Sequence, residues 1–348
     1  MPASERLKAI SNAMSGLTVP IIDFGRFLNG SESDKHAIAQ ELLEAARDIG
    51  FMYLENINIS DKDIQDMFKL AATFFNKPSD YKNAYPYSAE KNSGFIQFGQ
   101  EKLNPNSEKT DPKEGFNIPK FNGLYGKITD LPPEFQQQGE LVQRFARSCS
   151  NLNIAILRAF SMCLQIPEKD GGREYLPNRH RYSEKSGDIL RLLHYPPTNV
   201  DGENRAGGHS DYGTITLLFQ QDVGGLEALL RASPQEEPKW VPIPPRKNAI
   251  VVNTGDLLEF WTAGLFKSTV HRVVSVASSV SRFSIPYFCQ PDDDAPLTPI
   301  PSPLLANREI PDEALAKIES EHGFAGGRRE TLTAAEHLKL RLSRTYLY

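Results

Sequence analysis

A chain of 348 residues can bury a large core, and with 39% hydrophobic and 24% charged residues it is neither a disordered polymer nor a bundle of membrane helices. The net charge of −5 and pI near 5.9, without any block of basic residues to neutralise a row of phosphates, make nucleic acid an unexpected partner. Three irregularly placed cysteines, Cys149, Cys163 and Cys289, supply neither a disulfide framework nor a zinc knuckle and read as core residues of a protein in a reducing compartment.

Residues 1–17 mix Glu5, Arg6 and Lys8 with small and apolar side chains and lack the apolar stretch of a signal peptide, so a short amphipathic helix is expected there. The run 19–24 reads as a strand, and after the turn signal Asn29-Gly30-Ser31 the spacing over 35–49 predicts a helix that Gly50 stops. A second strand is expected at 51–54, followed by a helix capped by Asp61 and running to Phe75. Periodicity then fails: 85–133 carries glycines at 94, 99, 115, 123 and 126 among scattered aromatics such as Phe95, Phe116 and Tyr125, the pattern of a long substrate-facing loop. A long helix is predicted over 133–164, with Leu141, Phe145, Leu152, Ile156 and Phe160 on its apolar stripe.

From 188 to 290 the pattern changes to short β-rich runs, at 189–195, 214–219, 226–230, 240–243, 249–253, 257–261, 271–274 and 283–288. About eight short strands in this interval predict an antiparallel jelly-roll core. The segment 291–311, proline-rich and acidic at Asp292-Asp293-Asp294, reads as a surface excursion, and 333–345 as a closing helix. No apolar run approaches the roughly 20 residues that cross a bilayer. Tyr346-Leu347-Tyr348 matches no sorting signal, so a cytoplasmic protein with no membrane partner is expected.

The chemistry concentrates in the β-rich part. Residues i and i+2 of a strand share a face, so His209 and Asp211 in Gly208-His209-Ser210-Asp211 are placed to bind one metal ion. His271, on another predicted strand, completes two imidazoles and one carboxylate, the donor set that leaves three positions open on six-coordinate Fe(II); zinc favours closed tetrahedral sites. Without a second histidine ligand, His209 would read as a hydrogen-bonded sheet residue. Eleven residues on, Arg282-Phe283-Ser284 points a guanidinium and a hydroxyl to one face of an otherwise apolar strand. A buried guanidinium needs an anion, either a structural carboxylate or the carboxylate of a ligand, which matches its fork. Upstream, Arg191 and Tyr195 share a face while His194 points the other way and reads as structural.

The order His209-x-Asp211, His271, Arg282-x-Ser284 resembles the iron(II)- and 2-oxoglutarate-dependent dioxygenases of the isopenicillin N synthase-like superfamily. Val19-Pro20-Ile21-Ile22-Asp23 and Gly50-Phe51-Met52-Tyr53-Leu54 look like that family's N-terminal part; Gly224-Gly225-Leu226 and Asn253-Thr254-Gly255-Asp256 look like its core. The resemblance covers roughly 17–290, and within the superfamily the stretches 189–196, 209–220 and 267–274 look most like fungal thymine 7-hydroxylase and related fungal natural-product oxygenases. It implies a mostly β fold with helical flanks around a distorted double-stranded β-helix. The chain would divide into an N-terminal α/β region (17–132), a backing helix and connection (133–187), the catalytic core (188–290) and a loop with a C-terminal helix (291–348). The resemblance further implies Fe(II) held by His209, Asp211 and His271, and 2-oxoglutarate, the co-substrate used with O2, held at its distal carboxylate by Arg282, Ser284 and Tyr195. The implied reaction oxidises an unactivated C–H bond of a small molecule and releases succinate and CO2. Asp211 argues against a halogenase, in which a halide takes the carboxylate position.

Strand parity adds Phe288 to the interior face of Arg282 and Ser284, and Tyr212 follows a ligand at the strand mouth. Together with Arg191, able to bond a carbonyl or carboxylate, they suit a flat, oxygen-bearing ring such as a pyrimidine or an aromatic polyketide. Two other readings stay open on the sequence: an iron oxidase of the same fold that uses no 2-oxoglutarate, against which Arg191 and Tyr195 weigh, and a non-redox metalloenzyme of cupin type. No sequence feature specifies an oligomeric state.

Overall fold

The computed structural model describes residues 18–104, 107–121, 127–233, 235–309 and 332–345. The helix expected at 1–17, Gly123, Tyr125 and Gly126 of the predicted loop, the end of the 291–311 segment, and Tyr346, Leu347 and Tyr348 lie outside the described residues.

The chain runs β1 (Ile21–Asp23), α1 (Gly25–Asn29), α2 (Glu32–Asp48), β2 (Phe51–Glu55), α3 (Asp61–Phe75), α4 (Ser79–Asn83), β3 (Gly94–Ile96), β4 (Glu114–Pro119), α5 (Pro133–Gln137) and α6 (Gly139–Cys163). It continues through β5 (Ile189–Tyr195), β6 (Asn204–His209), β7 (Ile215–Gln220), β8 (Leu226–Leu230), β9 (Lys239–Pro242), β10 (Ala249–Thr254), α7 (Asp256–Trp261), β11 (His271–Val274), β12 (Arg282–Cys289) and α8 (Ala334–Thr345). Local chemistry sets the helix starts. At α2, Ser31 and Asp34 cap each other's backbone amides. At α3 the cap is Ser60, whose hydroxyl accepts from the Asp63 amide; Asp61, expected as the cap, is the first residue inside the helix.

Two sheets face each other. The larger has the order β1-β2-β10-β7-β12-β5-β4-β3, the smaller β6-β11-β8-β9. Among the described strands only the β1–β2 pair is parallel. Because side chains alternate across a strand, one face of the large sheet packs Phe116, Leu192, Leu217 and Ile285 in a core shared with α2, α3 and α6. The other face turns Asn117, Arg191, Ser284 and Phe288 into a cavity closed by the small sheet. Leu226, Ala228 and Val273 of the small sheet form a second apolar cluster with Phe51 and Tyr53 of β2. The result is a jelly-roll of double-stranded β-helix type with helical flanks.

Three expectations are corrected. Residues 85–133 are not one long loop: β3 and β4 extend the large sheet, and β4 pairs antiparallel with β5 over six residues, from Glu114↔His194 to Pro119↔Ile189. The run 257–261 is helical rather than extended, since a short apolar run does not by itself separate the two periods and the amides of Asp256 and Leu257 are drawn to the carbonyls of Asp211 and Gly213. Nor is 291–311 a surface excursion where it is described. Ala295, Leu297, Ile300 and Leu305 are buried, and Asp292 is paired with Arg181 at 2.7 Å. The three cysteines are free, with Cys149 and Cys289 buried. No described helix is long and apolar enough to cross a membrane.

Phe74 anchors the helical side: fully buried, it packs edge-on against Phe75, Phe95 and Phe116 and tilts against Phe135. Phe74→Ala is expected to cost about 3–5 kcal/mol, read as a lowered urea midpoint by circular dichroism; an unchanged midpoint would show that the flank does not depend on this ring cluster.

Candidate metal centre and active site

His209 is the last residue of β6 and faces His271, its register partner on β11, with ring centroids 4.4 Å apart. Asp211 lies two residues past the end of the strand, in the turn before β7, so the strand parity expected for His209 and Asp211 is not what brings them together. The turn does so: Asp211 Oδ1 comes 4.0 Å from His209 Nε2 and 3.7 Å from His271 Nε2. One ligand atom from each of the three residues lies within 4.8 Å of the others.

The remaining polar atoms are arranged so that these three stay available. Nδ1 of His209 donates to the Gly207 carbonyl at 2.7 Å and Nδ1 of His271 to the Thr269 carbonyl at 3.1 Å. A carbonyl only accepts, so each ring carries its proton on Nδ1 and turns the Nε2 lone pair towards Asp211. The other oxygen, Asp211 Oδ2, accepts from Thr216 Oγ1 and Asn253 Nδ2, both at 2.7 Å. Burial opposes the Asp211 charge, but the two imidazoles and these hydrogen bonds outweigh it and hold the carboxyl below its ordinary range. Burial, then the neighbouring His271, pushes His209 down, which keeps it in the neutral form that ligates. Two neutral imidazoles and one carboxylate fit an octahedral ferrous ion with open positions.

Arg282 and Ser284 line the same cavity. The guanidinium donates to the Gly224 carbonyl (2.9 Å), Gln220 Oε1 (3.1 Å) and Ser284 Oγ (3.3 Å), and lies 4.8 Å from the Tyr195 ring centroid. It forms an ion pair with no carboxylate among the described residues, and burial pushes its pKa down from the ordinary arginine value. A desolvated cation held only by neutral groups is a receptor for an anion. His194, on the opposite face of β5, bonds Glu114 and Ser281 and is structural.

The structure places Arg191, Tyr212 and Phe288 on the cavity wall, but Arg191 is not presented to a ligand as the sequence implied. Its Nη2 donates to both Glu101 oxygens at 2.8 Å, and Glu101 also pairs with Lys113 at 2.9 Å, which in turn bonds Asp111 at 2.8 Å. Gly115, beside Arg191 on β4, leaves room for this: a Cβ there would lie 3.2 Å from Arg191 Nη2. Burial would raise Glu101, yet Arg191 and Lys113 overcome it and hold the pKa down to about 2. A further bond, from the Gly207 amide to Asp111 Oδ1 at 2.9 Å, ties the network to the strand that carries His209.

Sequence reasoning missed Asn92, Glu101, Lys113 and Asn117 on the cavity wall, and Leu338 and Leu342 of α8 over it. One signal for β4 was present: in 113–118 the apolar Phe116 and Ile118 alternate with Gly115 and Asn117.

Comparison with known proteins agrees with this geometry. Residues 186–291 match the 2OG-Fe(II) oxygenase superfamily, and residues 19–132 match the N-terminal region described as that of the non-haem dioxygenase in morphine synthesis. A UPF0676 protein of Schizosaccharomyces pombe is 32% identical over 341 residues, covering 96% of this chain and 95% of its own. The proline hydroxylase buaE of Petromyces alliaceus is 30% identical over 346 residues, covering 95% of this chain and all of its own. Among solved structures, the full-length thymine 7-hydroxylase of Neurospora crassa in complex with alpha-KG and thymine superposes with a TM-score of 0.76 at 29% identity, covering 95% of this chain and 98% of that one. The chain belongs to the 2OG-Fe(II) oxygenase superfamily: it is a 2-oxoglutarate-dependent dioxygenase, with Fe(II) as its metal and 2-oxoglutarate and O2 as co-substrates.

Proposed function

We propose that this dioxygenase oxidises an unactivated C–H bond of a small, neutral, ring-bearing metabolite that carries N–H donors, with His209, Asp211 and His271 as the iron ligands and Arg282, Ser284 and Tyr195 around the distal carboxylate of 2-oxoglutarate. The observation that carries the reading is the pairing, in one cavity, of three convergent ligand atoms with a buried guanidinium that has no carboxylate partner among the described residues. When bound, Fe(II) with 2-oxoglutarate and O2 supplies the oxidising power, the co-substrate leaving as succinate and CO2.

The chain's own residues do the positioning. Thr216 and Asn253 keep Asp211 charged and aimed, and the Gly207 and Thr269 carbonyls fix the two imidazoles. Arg282 and Ser284 set the depth of the co-substrate, and the apolar wall from Leu193, Leu218 and Val273 keeps water from the reacting atoms. Tyr212 and Phe288 offer aromatic faces to a ring. Asn117 Oδ1 and Gln290 Oε1 are buried at the cavity wall and accept no hydrogen bond from the described residues, so they favour a ligand that donates. Arg191 is neutralised by Glu101, which disfavours a substrate carboxylate at that point. Thymine, bound in the Neurospora crassa structure, is a ring of this chemistry. The division at 132, 187 and 290 and a cytoplasmic location, which three free thiols suit, are part of the same reading.

Anaerobic Fe(II) and 2-oxoglutarate should give a weak visible charge-transfer band with the wild-type protein; His209→Ala and Asp211→Ala should remove it, together with succinate formation, while the far-UV spectrum is kept. A band that persists in either variant means that the ligands are misassigned. Arg282→Ala should raise the apparent KM for 2-oxoglutarate by about ten-fold or more, the worth of a hydrogen-bonded charge; an unchanged KM would move the co-substrate elsewhere. For the substrate, succinate release is screened with pyrimidines and lactams and with their N-methylated counterparts. Stimulation by the free N–H forms and its loss on methylation is expected, and stimulation that is indifferent to methylation sinks the donor assignment.

A further inference from the structure

We propose that the C-terminal helix α8 is part of the substrate site and that Arg341 is a positioning residue, coupling the roof made by Leu338 and Leu342 to the turn that carries Asp211. The inference rests on the reading of that cavity as the oxygenase site.

Four observations meet here. Leu338 and Leu342, one turn apart on α8, line the cavity that holds His209, Asp211 and His271. Leu338 is seated on Gly187: a Cβ at that position would lie 2.1 Å from Leu338 Cδ2, so a larger residue would force the Leu338 side chain off this seat. Between the two leucines, Arg341 reaches the fully buried Asp256 at 3.1 Å and sits over Tyr212, its guanidinium carbon 4.2 Å from the ring centroid. Asp256 in turn accepts from Ser210 Oγ at 3.0 Å, and its own amide donates to the Asp211 carbonyl at 2.8 Å.

Ser210 and Tyr212 flank Asp211 in sequence, so the guanidinium acts on both neighbours of that residue, on one through Asp256 and on the other through its ring. The ion pair is also what makes the buried Asp256 tolerable, because a carboxylate left without its cation in such a place costs more than the pair contributes. Docking of α8 and the shape of the turn are therefore one event. A substrate under Leu338 and Leu342 meets hydrocarbon, whereas the wall at Asn117 meets it with an acceptor. The substrate class is thus a ring with N–H donors on one side and an apolar edge or substituent towards α8.

The test is hydrogen exchange followed by mass spectrometry on the full-length, metal-free protein. Its reporters are the helix 334–345 and the amides of Gly255, Asp256 and Leu257, which donate to the carbonyls of Thr214, Asp211 and Gly213. Arg341→Met should speed exchange in both segments by about ten-fold or more, whereas Arg341→Lys, which keeps the charge but loses the guanidinium over Tyr212, should fall between. Gly187→Ala, which displaces Leu338 and touches no charge, should loosen both segments too, and it serves if Arg341→Met does not fold. Faster exchange confined to the helix, with residues 255–257 as in the wild type, would overturn the coupling. Unchanged exchange in both segments of Gly187→Ala would overturn the seating of the roof. Failure of the charge-transfer band in the wild-type protein would instead strike the iron assignment and leave the exchange result standing.

Discussion

Asp211 is a buried charged group, and the strands around it are arranged to keep it charged. One oxygen is saturated by Thr216 of β7 and Asn253 of β10, the other faces the two imidazoles of β6 and β11, and the main-chain carbonyl is held by the first amide of α7. Strands of both sheets and one helix thus converge on one residue. A carboxylate without these partners would take up a proton on burial and could no longer ligate a metal. The donor set and the jelly-roll are in this sense one construction.

Strand parity sorts the buried charged groups of the large sheet into two sets. On its helical face the buried charges are structural. Lys82, Glu114 and His194 form a closed group between Phe75 and Phe283. His180, whose pKa burial pushes down to about 4, is a neutral ring bridging the Leu176 carbonyl and Thr214. On the cavity face, charge is either paired, as in the Glu101, Arg191, Lys113 and Asp111 network, or left for a ligand, as at Arg282. This contrast decides what each arginine does. Two guanidiniums face one cavity from neighbouring strands; Arg191 is paired with Glu101, whereas Arg282 has no carboxylate partner among the described residues and is the one proposed to receive the co-substrate.

The cavity is also built from distant parts of the chain. β4 brings Asn117 and the connection before it brings Glu101, the acidic partner of Arg191, from the N-terminal half, and α8 brings two leucines from the far end. The proposed roof and wall of the substrate site thus come from segments that contribute none of His209, Asp211 and His271, which sit on two strands of the small sheet and on the turn after the first of them. Such a division lets the roof and wall vary while the metal chemistry stays the same.

The sequence by itself determined the His209, Asp211 and His271 donor set, the Arg282-x-Ser284 pair and most strands of the core. Histidine and arginine are scarce on apolar strands, and alternation with period two is a local property that a chain carries in its own order. It also placed Tyr195 and Phe288 on the cavity side by parity, and Tyr212 by its place next to Asp211. Only the tertiary structure decided how His209 and Asp211 come together, because Asp211 lies beyond the strand and is aimed by residues 5 and 42 positions away. Only the tertiary structure neutralised Arg191, through a glutamate 90 residues upstream. It alone turned 257–261 into a helix and 114–119 into an inner strand of the large sheet, and set α8 on Gly187. Each of these depends on a partner distant in the chain, and the packing of distant partners is not written in local order.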